Sequence, residues 1–209
     1  MTEVHEQARP PFLECGIATR PLGGATPSGD IAVVSVAGGR ALVAVCDGLG
    51  HGPEAARAAA AAAAVLEEFA GDDVVSLTRR CDHALRDTRG AAISLAVLSA
   101  STAAMTWVGV GNVEGRLVRG APSAPGEDRS LILDPGIVGD RAAPRHAATI
   151  PVERGDTLVF ATDGVARRFA DSLVPVGAPQ EIAQRILDEH GRSTDDALVL
   201  VARYLGPRS

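Results

Sequence analysis

Aromatic side chains are scarce: Phe, Trp and Tyr together make up 3% of the 209 residues. A core must therefore be built from Ala, Val, Leu and Ile, and few platforms remain for stacking single-stranded bases. Cysteine is rare too. Cys15, Cys46 and Cys81 are odd in number and contain no close pair, which argues against a disulfide framework or a zinc knuckle. Basic residues are not in excess. The net charge is −6, whereas binding a nucleic-acid backbone needs a basic face, so no nucleic-acid partner is expected. Long apolar runs are also missing. The longest candidate, around an alanine run, is interrupted by Arg57, Glu67 and Glu68, and no segment reads as a bilayer span. The first ten residues are polar, lack the apolar stretch of a signal peptide and read as a frayed end. A soluble cytoplasmic protein without a membrane partner is the resulting expectation.

What is present is an ordinary globular composition, 46% apolar and 22% charged. The length suits one large domain over residues 1–209, with enough chain to bury a substantial core.

The pattern centres on Cys46-Asp47-Gly48-Leu49-Gly50-His51-Gly52-Pro53-Glu54. The apolar run 41–46 reads as a buried strand that ends on a carboxylate. Three glycines then permit a tight turn and a close approach. Pro53 suits the first position of a helix that runs to Ala70 through seven successive alanines. Such a helix has a thin profile and can lie close to a sheet. Taken alone, Asp47 reads slightly more readily as a helix cap than as a ligand bared at a strand end.

The preceding strand decides between them. Residues 31–36 and 41–46 flank Gly38-Gly39, which suits a two-residue hairpin turn. Opposed residues then have numbers adding to 77, which sets Asp30 directly against Asp47. Like charges so placed destabilise a strand pair, with side chains only ~5 Å apart. A divalent cation between them removes the repulsion.

Further along, helices are expected over 72–88, 165–173 and 179–190. Strands are expected over 12–19, 93–100, 104–110, 116–119, 131–133, 157–162 and 197–204. His83 reads as solvated and Cys81 as a core filler. The glycine pattern at 109–115 has no following helix, so it is not a nucleotide fingerprint. From Pro135 to Pro151 no element is evident, and that segment is a candidate flap. The whole stretch 120–150, polar and rich in Pro and Gly, is expected to contact a folded partner. Near the end, Thr162-Asp163-Gly164 repeats the strand-then-Asp-Gly pattern. An antiparallel strand 197–204 would bring Asp195 to the same end as Asp163. Several carboxylates at one end, all oxygen donors, suit Mg²⁺ or Mn²⁺ rather than zinc.

In order and spacing, Ser28-Gly29-Asp30, the 47–52 motif, Thr162-Asp163-Gly164 and Asp195-Asp196 resemble the PPM-type metal-dependent Ser/Thr protein phosphatases, in particular their SpoIIE-like bacterial branch. Arg89-Gly90-Ala91 and the 110–113 stretch are similar to the RsbX-type phosphoserine phosphatases of the stressosome. The resemblance runs from about Gly16 to Tyr204. It implies an α+β fold, an α-β-β-α sandwich of two antiparallel sheets flanked by helices. It implies two divalent cations, Mn²⁺ or Mg²⁺, bridged by Asp47 and an activated water that attacks phosphorus. The Gly48 carbonyl, Asp163 and Asp195 would add ligands, and Asp30 would hold the cluster from the first hairpin. Asp196 and His51 are further candidates, and Arg20 is the candidate for the substrate phosphate. No acid for a third metal is apparent. Leu198 stands where some relatives carry Thr, and is expected to pack.

The implied function is phosphoserine/phosphothreonine protein phosphatase on STAS-domain stressosome proteins, acting as a monomer to reset a stress or sigma-factor pathway. Two alternatives stand beside it: a phosphatase of a phosphorylated anti-sigma-factor antagonist, and a metal-free pseudophosphatase that only binds.

Overall fold

The computed structural model describes residues 12–24, 27–37, 39–120, 129–140, 146–171 and 173–207. Among the described residues ten strands and three α-helices follow one another. They are β1 (Leu13–Arg20), β2 (Asp30–Ala37), β3 (Arg40–Gly48), α1 (Pro53–Glu68), α2 (Val74–Ala84), β4 (Ala91–Ser99), β5 (Ala104–Val110), β6 (Glu114–Val118), β7 (Arg129–Ser130), β8 (Ala148–Pro151), β9 (Thr157–Ala161), α3 (Pro179–His190) and β10 (Ala197–Tyr204). One sheet has the order β1-β10-β9-β6-β7, the other β2-β3-β4-β5-β8. Every pairing within them is antiparallel.

Strand alternation builds the layers. Successive side chains of a strand point to opposite faces. In β3, Ala41, Val43 and Val45 face inward, where they meet Leu158, Phe160, Leu198 and Leu200 of the other sheet. Leu42, Ala44 and Cys46 face outward and pack on Ala58, Ala59, Ala62 and Leu66 of α1, and on Leu77 and Cys81 of α2. On the far side, Val159, Val199 and Val201 pack on Ile182, Ala183, Ile186 and Leu187 of α3. The result is the expected α-β-β-α sandwich. Leu198 is buried between the sheets, as expected of a packing residue. Cys81 is buried and His83 is exposed.

The glycine that ends β3 is fixed by a close approach of the backbone. A Cβ on Gly48 would lie 2.0 Å from the backbone oxygen of Ala55. The thin first turn of α1 thus sits directly against the end of β3. Gly164 of the second Asp-Gly pair is under the same constraint, since a Cβ there would lie 1.9 Å from the backbone oxygen of Asp196.

Several expectations need correction. Residues 131–133 are not a strand; pairing occurs one step earlier, at Arg129–Ser130. Among the described residues of 165–173 none is α-helical. Val165 is held by a bridge to Gly191, and only Arg167–Asp171 coil, as a 3₁₀ turn. The segment after Pro135 is not a free flap in its described part. Val138 is buried and exchanges two backbone hydrogen bonds with Ala91, and β8 extends the second sheet beside β5. Residues 121–128 and 141–145 of the expected contact loop lie outside the described residues. Among the described residues no helix is long and apolar enough to cross a membrane.

Candidate metal centre

The β2–β3 hairpin pairs Asp30 with Asp47, in the register expected from Gly38-Gly39. Inward parity continues past the ends of the other strands and assembles the surroundings. In β9 the inward residues are Leu158 and Phe160, and the next inward position is Thr162. In β10 the inward series runs back from Leu200 through Leu198 to Asp196. Thr162 and Asp196 therefore enter the space between the sheets, at the end where Asp30 and Asp47 stand.

The hydrogen bonds follow this placement. The Thr162 hydroxyl donates to Oδ2 of Asp30 at 2.7 Å and accepts from the Leu198 amide at 2.9 Å. Asp196 is buried, and its two carboxylate oxygens accept from the amides of Leu22 and Gly29, each at 2.8 Å. Asp196 thereby anchors the loop that delivers Asp30. Asp163 is exposed, and its Oδ2 accepts from the Asn112 side chain at 2.6 Å. Asp195 is half-buried, and its Oδ1 accepts from the Asp196 amide at 2.9 Å.

The electrostatics show how crowded this end is. Burial, and after it the charges of Asp30, Asp163, Asp195 and Asp196, push the Asp47 carboxyl from its ordinary 3.8 up to about 8. Asp30 rises to about 7, mainly through burial. The Thr162 hydrogen bond works against the rise, while Asp196, Asp163 and Asp195 add to it. Asp163 is raised by burial and Asp195, against the pull of Asn112, Arg192 and Arg167. An acid in such surroundings becomes a comfortable anion only with a cation beside it.

Among the described residues no three acidic, histidine or cysteine side chains already converge as a closed cage. That is compatible with the donor chemistry. Thr162 and Asn112 hold the Asp30 and Asp163 carboxylates by hydrogen bonds, and a cation bound among these mutually repelling acids would offset their charge. Oxygen-only donors, two of them opposed in one hairpin, fit hard divalent cations.

Other candidates are placed differently. His51 is exposed on the turn after β3. Arg20 reaches Asp188 of α3 at 3.3 Å. Arg89 instead lies over the glycine turn, ion-paired with Glu54, its Nη1 3.1 Å from where a Cβ on Gly50 would sit. The supporting roles of Thr162, Asn112 and Asp196 come from contacts 132, 51 and 167 residues apart. Parity beyond the strand ends was the one signal available for Thr162 and Asp196.

The family described as Stage II sporulation protein E (SpoIIE) matches residues 37–205. The chain belongs to the SpoIIE family. It is 30% identical over 164 residues to phosphoserine phosphatase RsbX of Bacillus subtilis (strain 168), covering 78% of this chain and 80% of that one. A crystal structure of RsbX in complex with magnesium matches with a TM-score of 0.83 at 25% identity, covering 93% of this chain and 96% of the other. A structure from work on the bacterial stressosome as a modular system controlling secondary-messenger signalling matches with a TM-score of 0.81 at 31% identity, over 91% and 99% of the two chains. At 21% identity and a TM-score of 0.80, the PP2C phosphatase domain of SpoIIE from Bacillus subtilis shares the fold. By family and fold this SpoIIE-family chain is a phosphatase with a centre suited to divalent metal.

Proposed function

We propose that this SpoIIE-family phosphatase removes phosphate from serine or threonine of STAS-domain stressosome proteins and so resets a stress-signalling pathway, and that residues 1–209 form one catalytic domain. The observation that carries the catalytic part is the register pairing of Asp30 with Asp47 at the end of the sandwich, with Asp163 and Asp195 within electrostatic reach. The likeness to RsbX supports the substrate part.

In this reading Asp47, the Gly48 carbonyl, Asp163 and Asp195 hold two divalent cations, Mn²⁺ or Mg²⁺, and Asp30 braces the cluster. Such cations supply the Lewis acidity that activates a water and neutralises the phosphoryl oxygens. The chain's own residues keep the ligands in place. Thr162 fixes the Asp30 carboxylate, Asn112 fixes that of Asp163, and Asp196 fastens Leu22 and Gly29 rather than reaching the centre. The presence of all four acids speaks against a pseudophosphatase.

The test is release of phosphate, with Mn²⁺ present, from two purified phosphoproteins: a STAS-domain stressosome scaffold and an anti-sigma-factor antagonist. Faster hydrolysis of the scaffold is expected. Faster hydrolysis of the antagonist would move the substrate assignment to that alternative, and hydrolysis of neither would refute it.

A further inference from the structure

Beside the acidic cluster lies a groove of opposite sign. It has a volume of about 540 Å³, and its charged lining is Arg167 and Arg168 from one segment and Glu189, His190 and Arg192 from the other. Three guanidiniums against one carboxylate make the groove positive, in a chain whose net charge is −6. All twenty cationic side chains of the protein are arginines, so the forked geometry that grips carboxylates in pairs is available at each of the three.

The groove is stitched to the catalytic loops. The Ala166 amide donates to the His190 carbonyl at 2.8 Å, the Arg192 amide donates to the Gly164 carbonyl at 2.7 Å, and Val165 bridges Gly191. Arg192 also donates from Nη1 to the Asp163 carbonyl at 3.4 Å. The two chain segments are therefore tied to each other and to the backbone at Asp163. Arg167 and Arg192 also act electrostatically on the Asp163 carboxyl. All three arginines are exposed. Arg167 stands 4.0 Å from Glu114, and Arg168 makes no ion pair or hydrogen bond among the described residues. Nδ1 of His190 is buried and has no hydrogen-bond partner among the described residues.

We propose that this groove binds acidic side chains flanking the phosphorylated residue of the substrate protein. The inference rests on the phosphatase reading and names a recognition element for it. An acidic enzyme repels a phosphoprotein at long range, and a local positive patch beside the reaction centre offsets that repulsion and steers the approach. The groove lies outside the ring of metal-ligand candidates, on the flank of Asp163. A phosphoserine at the centre would therefore place its neighbours in the groove and not the phosphate itself. An open trough with cations along both 167–168 and 192 suits an extended segment carrying more than one carboxylate.

The test uses the full chain and two phosphoserine peptides, one with two Asp on each side of the phosphoserine, the other with Asn in their place. With Mn²⁺, the Asp peptide is expected to have a kcat/KM about tenfold higher, from a few exposed ion pairs each worth a factor of roughly two to five. The gain should lie in KM, and 0.5 M NaCl should remove it. Arg168→Glu is expected to abolish the preference, and Arg168→Lys to retain part of it. Equal handling of the two peptides by the wild type, or a preference that survives Arg168→Glu, would overturn the proposal. Binding of the same labelled peptides in EDTA, read by fluorescence anisotropy, judges the groove without turnover. Tighter binding of the Asp peptide there supports it even if no peptide is hydrolysed, an outcome that would refute only the phosphatase reading. Displacement of the Asp peptide by inorganic phosphate, but not by its unphosphorylated counterpart, would make this a phosphate site and overturn the assignment.

Discussion

Stripping divalent ions should leave a protein that loses stability as pH rises from 5 to 8. In the folded chain Asp47 titrates near 8 and Asp30 near 7, both far above the ordinary 3.8, chiefly because they are buried. The unfolded chain has already released these protons by pH 5. The folded state thus holds up to two protons that the unfolded state lacks. Stability is then highest toward low pH and falls until both groups ionise, with the cost complete above about pH 8. Each retained proton contributes a slope of about 1.4 kcal/mol per pH unit. Asp47 is half-buried and shares the cluster with three other acids, so the pair is expected to give roughly 1–2 kcal/mol per unit rather than the full sum. The assay is urea unfolding in EDTA at pH 5, 6, 7 and 8 for the wild type and Asp47→Asn, because the difference removes titrations common to both. The wild type should fall more steeply by about 1 kcal/mol per unit, and saturating Mn²⁺ should flatten its curve. Parallel curves for the two proteins in EDTA would refute the reasoning.

Three substitutions probe the supports. Thr162→Val removes a donor to the Asp30 carboxylate and strands the Leu198 amide. It should cost about 2–4 kcal/mol in urea unfolding and weaken Mn²⁺ binding in calorimetry. Asp195→Asn and Asp196→Asn should separate cleanly. The first should suppress turnover with little change in melting temperature. The second should lower stability by about 1–3 kcal/mol, since it turns an acceptor toward Leu22 or Gly29 into a donor, while retaining more turnover. A stable but inactive Asp196→Asn would reverse the two roles.

The legible parts of the sequence were those set by local rules. A two-residue turn fixes hairpin register, so Asp30 opposite Asp47 followed from counting. The last helix and strand, Pro179–His190 and Ala197–Tyr204, were marked by Pro179, Gly191 and the apolar run 197–202. β8 escaped notice because it is a four-residue edge strand with one buried side chain, Ile150. Its identity as a strand comes from pairing with β5 rather than from any pattern of its own. The segment after Asp163 has helical spacing, but the bridge from Val165 to Gly191 claims its first turn. At the site, the acids stood out through the hairpin register, which sets Asp30 against Asp47, and through the order of the motifs at 28–30, 47–52, 162–164 and 195–196. The tasks of Thr162, Asn112 and Asp196 were not legible, because strand parity places Thr162 and Asp196 inward without naming their partners, which lie 132 and 167 residues away, and nothing local marks Asn112.

The measurement that bears most directly on the central claim is hydrolysis of p-nitrophenyl phosphate by the wild type and Asp47→Asn, each in Mn²⁺, in EDTA, and in EDTA followed by excess Mn²⁺. The expected result is turnover by the wild type that disappears with chelation and returns with the metal, and no turnover by a folded Asp47→Asn under any condition. Wild-type turnover that survives EDTA, or an Asp47→Asn variant as active as the wild type, would contradict the assignment of the facing carboxylates as the metal-binding heart of a phosphatase.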